Sequence, residues 1–246
     1  QMVAPQPADV AYRRLYYYLH KLVDQAIGRI LDALDASGMA DDTVIVFTSD
    51  HGDLLGAHGG LQQKWANAFD EAVRVPMIVK GPGVRPVDGG ITMPTSHVDL
   101  LPTLMGLAGI DAERAADELT RSHTEAGTLP GRDLSGLLGG STRVDTLASP
   151  IYFMTEDQVT KGLTQANVLT GEPFEALLPP SCIESVVATL PTGDDGAPAL
   201  WKLNHYYERL DEWIGEHGIP APGDLGPAAE PAWELHHLTA DPAERR

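Results

Sequence analysis

The chain has 246 residues, 43% of them hydrophobic, enough for at least one large domain with a real core. Its 17 basic and 35 acidic side chains leave a formal net charge of −18, which argues against nucleic acid or anionic membrane as a partner and requires a local cationic site for any anionic substrate. The single cysteine, Cys182, excludes an internal disulfide or a multi-cysteine zinc site, and no stretch approaches the roughly 18 apolar residues of a membrane span.

Residues 1–9 are Pro-rich and read as a tail or incoming linker. Over 10–37, Leu15, Leu19, Leu22, Val23, Ile27, Ile30, Leu31 and Leu34 recur at three- and four-residue steps between charged positions, predicting a long amphipathic helix that Gly38 closes. The Tyr16-Tyr17-Tyr18 run within it reads as packing and rim. Asp41-Asp42 turn the chain into Val44-Ile45-Val46-Phe47, a short β-branched and aromatic run. Such a run predicts a strand buried on both faces, of the type found inside parallel sheets.

Asp50-His51-Gly52-Asp53 follows, just past the strand's carboxyl end, where α/β sheets collect ligands. An Asp-His pair is an oxygen and nitrogen donor set for a divalent cation, or half of an acid/base pair. It is also compatible with a plain turn in which Asp50 caps and His51 is merely exposed. The Gly-rich loop beyond carries His58 and Lys64, with glycine dense enough for a ligand-hugging backbone. A short helix near 67–72 and a second buried strand over 74–79 complete a strand, loop, helix, strand order, the rhythm of a doubly wound sheet.

Ser96 and Asp99 announce a further helix whose buried face is expected to be Leu100, Leu101, Leu104, Met105, Leu107 and Ala108, ending at Gly109. Residues 111–128 are charged and irregular, a solvated helix or excursion, and a short helix ends at Gly139-Gly140. From Pro150 the character changes. Strand patterns at 151–154, 183–188 and 201–207, with a closing segment over 232–242, suggest a smaller, largely antiparallel appendix. The domain reading is therefore 1–149 and 150–246.

Taken together, Asp50-His51-Gly52-Asp53, Gly56-Ala57-His58-Gly59, Lys64, Arg74-Val75-Pro76-Met77-Ile78-Val79 and Gly81-Pro82-Gly83 resemble the C-terminal half of a type I sulfatase of the alkaline phosphatase superfamily. Ser96-His97-Val98-Asp99-Leu100-Leu101-Pro102-Thr103-Leu104 and Trp233-Glu234-Leu235 with Asp241-Pro242 extend the match, from about Arg13 to Pro242. The resemblance implies an α/β fold: part of an alkaline-phosphatase-like doubly wound sheet, 1–149, with a small C-terminal antiparallel α+β subdomain, 150–246. It implies that Asp50 and His51 ligate a divalent cation, Ca2+ or in some relatives Mn2+. It further implies that Lys64 contacts the sulfate oxygens as a catalytic and substrate-binding cation, and that His58 contacts substrate or packs the loop.

The chain also departs from the family pattern. The formylglycine nucleophile of such enzymes arises in a Cys-x-Pro-Ser-Arg signature, or from Ser in a minority; Cys182 stands in no such context. The family's early Asp pair is missing too, and one Asp with one His underfills a calcium shell of about six to eight oxygens. Two or three buried strands cannot cover both faces of a parallel sheet. The expectation is a sulfuric ester hydrolase whose N-terminal half, on the same or a separate chain, brings the formylglycine to an anionic sulfate ester. The alternatives are a phosphonate monoester or phosphodiester hydrolase of the same superfamily, or a non-catalytic sulfatase-like fragment. His97 is expected to be structural. A soluble protein of cytoplasm or periplasm is expected, with the compartment open.

Overall fold

In the computed structural model the described residues are 7–61, 64, 67–87, 89–144, 149–156, 164–166, 173–175, 182–192, 196–207 and 230–245. They fall into two compact units. The first comprises Gln1–Asp50, Leu55–Leu61 and Val75–Ile151; the second comprises His51–Leu54, Gln62–Arg74 and Tyr152–Arg246. Among the described residues no helix is long and apolar enough to cross a membrane.

The first unit opens with α1 (Pro7–Ser37), the long helix that the apolar periodicity predicts. It ends where Ser37 Oγ donates to the Leu34 carbonyl at 2.6 Å and Gly38 takes the left-handed conformation at φ 74°. Only glycine adopts that conformation without cost, so the helix stops there. The apolar stripe of α1 is exposed, Ile30 to 68% and Leu15 to 54%.

A single 3-10 turn (Ala40–Asp42) leads into β1 (Ile45–Thr48), which pairs with β2 (Met77–Lys80). The pairing is antiparallel, Ile45 opposite Lys80 and Thr48 opposite Met77. This corrects the expectation of a βαβ repeat here. Among the described residues the intervening chain holds the single turns α2 (Ala57–Gly60) and α3 (Asp70–Val73), and β2 runs beside β1 in the opposite direction. Nor is β1 buried on both faces, since Phe47 is 42% exposed. Beyond β2, Gly81 lies so close to Thr43 and Val44 that a Cβ there would sit 2.6 Å from the Thr43 carbonyl oxygen.

A 3-10 turn (His97–Asp99) runs into α4 (Leu100–Leu107), begun by the capping box that Ser96 and Asp99 predict: Ser96 N donates to Asp99 Oδ2 at 3.0 Å. The buried face of α4 differs from the apolar stripe. Pro102 and Thr103 are buried whereas Leu101 is 54% exposed. The helix is held by a polar clasp instead. Arg132 Nη2 reaches Asp99 Oδ2 at 2.6 Å, the Arg132 backbone N–H reaches Asp99 Oδ1 at 2.8 Å, and Thr103 Oγ1 donates to the Asp99 carbonyl at 2.6 Å. This docks the segment leading into α6 (Ser135–Leu138), whose Leu137 joins Met93 and Leu134 in a small core; α5 (Ala112–Leu119) stays on the surface. Leu100, Leu104 and Leu107 instead line an apolar cleft of about 840 Å³ with Val46, Met77 and Val79.

Burial alone would raise the Asp99 carboxyl, but hydrogen bonds from Arg132 outweigh it and hold the group below the usual carboxylate range. A carboxyl so depressed stabilises the fold fully above its unfolded value near pH 4, and that contribution fades as the pH falls through the lower folded value. Asp99→Asn should therefore cost about 2 kcal/mol at pH 7. Thermal melts should show the gap to wild type narrowing in acid; a gap independent of pH would contradict this reading.

The second unit is built on a four-stranded antiparallel sheet in the order β3 (Ile151–Glu156), β6 (Cys182–Thr192), β7 (Ala197–Tyr207), β8 (Ala232–His237). A small antiparallel pair, β4 (Thr164–Ala166) with β5 (Pro173–Glu175), was not foreseen from the sequence. Alternation along β7 separates two faces. Lys202, Asn204 and Tyr206 point inward with Ser185 and His236, while Leu203, Trp233 and Leu235 are exposed on the other face. The inner face is polar and internally bonded: Ser185 Oγ to Asn204 Oδ1 at 2.6 Å and Tyr206 Oη to Glu234 Oε2 at 2.7 Å. Burial and this carboxylate both push the Tyr206 phenol up. On the outer face the His205 ring stacks on Trp233 at 3.9 Å and on Tyr207 at 4.6 Å.

Candidate functional site

Asp50 is exposed at the exit of β1, with Ser49 Oγ 3.4 Å from its Oδ1. His97, expected to be structural, places Nε2 3.5 Å from Thr48 Oγ1 at the end of the same strand. His51 follows Asp50 directly and is half-buried, and its Nδ1 lies 2.8 Å from the carbonyl oxygen of Gly52. A carbonyl oxygen only accepts, so Nδ1 is the donor in this contact. Orientation of a ligating imidazole by a hydrogen bond from its other nitrogen is the usual device at metal sites.

The loop that carries His58 closes on itself, with Gly56 N donating to the Leu61 carbonyl at 2.7 Å and Leu61 N to the Ala57 carbonyl at 2.9 Å. His58 (φ 49°) and Leu55 (φ 48°) both take left-handed backbone, as do Gly56, Gly59 and Gly60. For a side chain with a Cβ that conformation costs on the order of 1 kcal/mol, and such strain gathers at functional loops. Single-residue glycine replacement of His58 should therefore stabilise the loop slightly, read as a thermal midpoint raised by roughly 1–2 °C. Lys64 is half-buried; its neighbours at 62, 63, 65 and 66 lie outside the described residues. Asp50 and His58 belong to the first unit, His51 and Lys64 to the second.

Among the described residues no group of three or more His, Cys, Asp or Glu side chains is gathered as a cation cage. The donor set of Asp50 and His51 nevertheless fits a divalent cation chemically, as one carboxylate and one imidazole, and supplies part of a shell of about six to eight ligands. Cys182 is 3% exposed on β6, with Sγ 4.0 Å from Glu156 Oε1.

The sequence reading missed what holds Gly52. Gly52 N donates to the Ala72 carbonyl at 2.8 Å, and a Cβ at Gly52 would overlap the carbonyl oxygen of Glu71. The segment bearing Glu71 and Ala72 is seated on a fully buried lysine. Lys202 Nζ reaches the Ala68 carbonyl and Asp70 Oδ1, each at 2.7 Å, and Glu244 Oε1 at 2.6 Å; Glu244 Oε2 accepts from Asp70 N at 2.6 Å. The available signal was the inward phase of β7, which places Lys202, Asn204 and Tyr206 on one face.

Residues 3–110 match the sulfatase family model. The similarity to sulfatases in this stretch covers a little under half of the chain. The chain is 43% identical over 103 residues to a choline-sulfatase of Rhizobium meliloti (strain 1021), covering 41% of this chain and 19% of that protein. It is 40% identical over 96 residues to an ulvan-active sulfatase of Formosa agariphila, covering 38% of this chain and 19% of that protein. A multifunctional alkaline phosphatase superfamily protein of Trinickia caryophylli is 38% identical over 106 residues, covering 43% of this chain and 20% of that protein. The matches thus span about a fifth of each relative's length.

Proposed function

We propose that this chain is part of a metal-dependent sulfuric ester hydrolase and supplies part of its cation and sulfate site. The observation that carries this reading is the Asp50-His51 pair at the exit of β1, within the stretch that matches the sulfatase family model, with Nδ1 of His51 held by the Gly52 carbonyl. Asp50 and His51 hold a divalent cation, Ca2+ or Mn2+. When bound, such a cation offsets charge on the ester oxygens. Lys64 supplies a positive charge with three donors to the sulfate, suited to an anion whose charge shifts during transfer. His58 contacts substrate from its strained loop or holds that loop closed.

The nucleophile, a formylglycine, lies on an N-terminal half that this chain requires as partner. The exposed stripe of α1 and the apolar cleft beside β2 support that requirement, because surfaces of this kind call for a cover. In this reading the pair β1–β2 belongs to a doubly wound α/β domain assigned to 1–149, and the strands β3, β6, β7 and β8 to a small antiparallel subdomain assigned to 150–246.

The same donor set serves a phosphonate monoester or phosphodiester hydrolase, a second reading favoured by the similarity to a multifunctional superfamily member. Turnover of an aryl sulfate and an aryl phosphate diester by the enzyme containing this chain and its N-terminal half separates the two. Faster sulfate turnover is the expected result. Faster diester turnover replaces the reading with the phosphoesterase, and turnover of neither leaves a non-catalytic fragment.

A further inference from the structure

We propose that Gly52, seated through the buried Lys202–Asp70–Glu244 cluster, is the positioning residue that aims the His51 imidazole at the cation. The inference rests on the metal reading above. Three features converge on Gly52. Its carbonyl accepts from Nδ1 of His51 at 2.8 Å, its N–H donates to the Ala72 carbonyl at 2.8 Å, and its bare Cα lets the backbone lie against the Glu71 carbonyl where a Cβ would overlap.

The seat itself is fixed by charge. Ala68 and Ala72 are buried, with Ala68 0% exposed, and Asp70 lies between them. Lys202, also 0% exposed and rooted in the centre of the sheet, takes the Ala68 carbonyl and the Asp70 carboxylate, while Glu244 Oε2 takes the Asp70 N–H and Oε1 forms an ion pair with the ammonium. A buried lysine between two carboxylates is strongly directional, because every displacement strips a charge of its partner. The path from Lys202 to the imidazole therefore runs through the Asp70 carboxylate and then along backbone, by way of the Ala72 carbonyl and Gly52.

The test uses the full-length enzyme carrying Gly52→Ala and, separately, Lys202→Met, with Ca2+ and Mn2+ affinity measured calorimetrically on folded protein and kcat followed across a cation titration. Gly52→Ala should weaken cation binding by about tenfold or more, the usual cost of losing an outer orienting group. Its kcat should recover at saturating cation. Lys202→Met should move affinity in the same direction. Should Lys202→Met fail to fold, Gly52→Ala alone decides. Unchanged affinity in folded Gly52→Ala, in a protein whose binding is lost in Asp50→Ala, overturns this inference and leaves the metal reading standing. Wild-type enzyme that binds neither cation overturns both.

Discussion

Replacing Asp50 by alanine is expected to remove cation binding and ester turnover together. The residue sits at the end of a strand anchored by four paired positions, so its carboxylate is delivered by backbone rather than by a mobile loop. Its exposure means that alanine leaves no buried cavity, and the thermal midpoint should move by less than about 2 °C. Loss of one charged ligand from a partly protein-built shell should lower cation affinity by at least about 100-fold, and turnover should fall with it. Calorimetry and steady-state rates on the same preparation check this. Turnover that survives in Asp50→Ala without bound cation would remove the metal from the reaction, and equal loss of fold and activity would reassign Asp50 to a structural part.

The largest stability loss is expected at Glu244. Alanine there leaves Lys202 sealed from water with Asp70 as its one carboxylate, and removes the acceptor of the Asp70 N–H. Breaking a buried ion cluster by deleting one member costs about 3–5 kcal/mol, since the remaining charge stays desolvated. In a chain of this size that corresponds to a fall of roughly 10 °C in the thermal midpoint. The exposed pair of Arg114 and Glu118, 3.2 Å apart on α5, is the internal control. Glu118→Ala should cost less than about 0.5 kcal/mol, because solvent screens that pair. Similar losses at both positions would mean that burial does not decide the energetics of the Glu244 cluster.

Helix α1, strand β1, the capping box at Ser96 and the strands of the second sheet were legible in the sequence because each is specified by neighbours a few residues away. Periodicity placed α1, Ser96 with Asp99 placed the start of α4, and alternation placed β7. The expected burial of the α4 leucines failed for a physical reason. Side-chain hydrophobicity says which face can be buried, but the Asp99–Arg132 clasp, joining residues 33 apart, decides which face meets the chain. The antiparallel pairing of β1 with β2 was likewise unreadable, since a short apolar run carries no direction. Asp50, His51, His58 and Lys64 are proposed from motif. Gly52 and the lysine beneath it are not, because their partners lie at Ala72 and Glu244 and no local pattern announces a backbone contact.

Those same separations bear on the order in which the molecule can be assembled. The contact of Lys202 with Ala68 spans 134 positions and that of Glu244 with Asp70 spans 174. Closing loops of that length is entropically costly and slow, and it cannot begin before both ends exist. During synthesis α1 and the hairpin-like β1–β2 pair can form as soon as they emerge. The seat beneath Gly52 must wait until the C-terminal turn around Asp241 and Glu244 has left the ribosome. An Asp-His pair encoded near the start of this chain is therefore among its last parts to be set, and a truncation that removes only the final residues would be felt at His51.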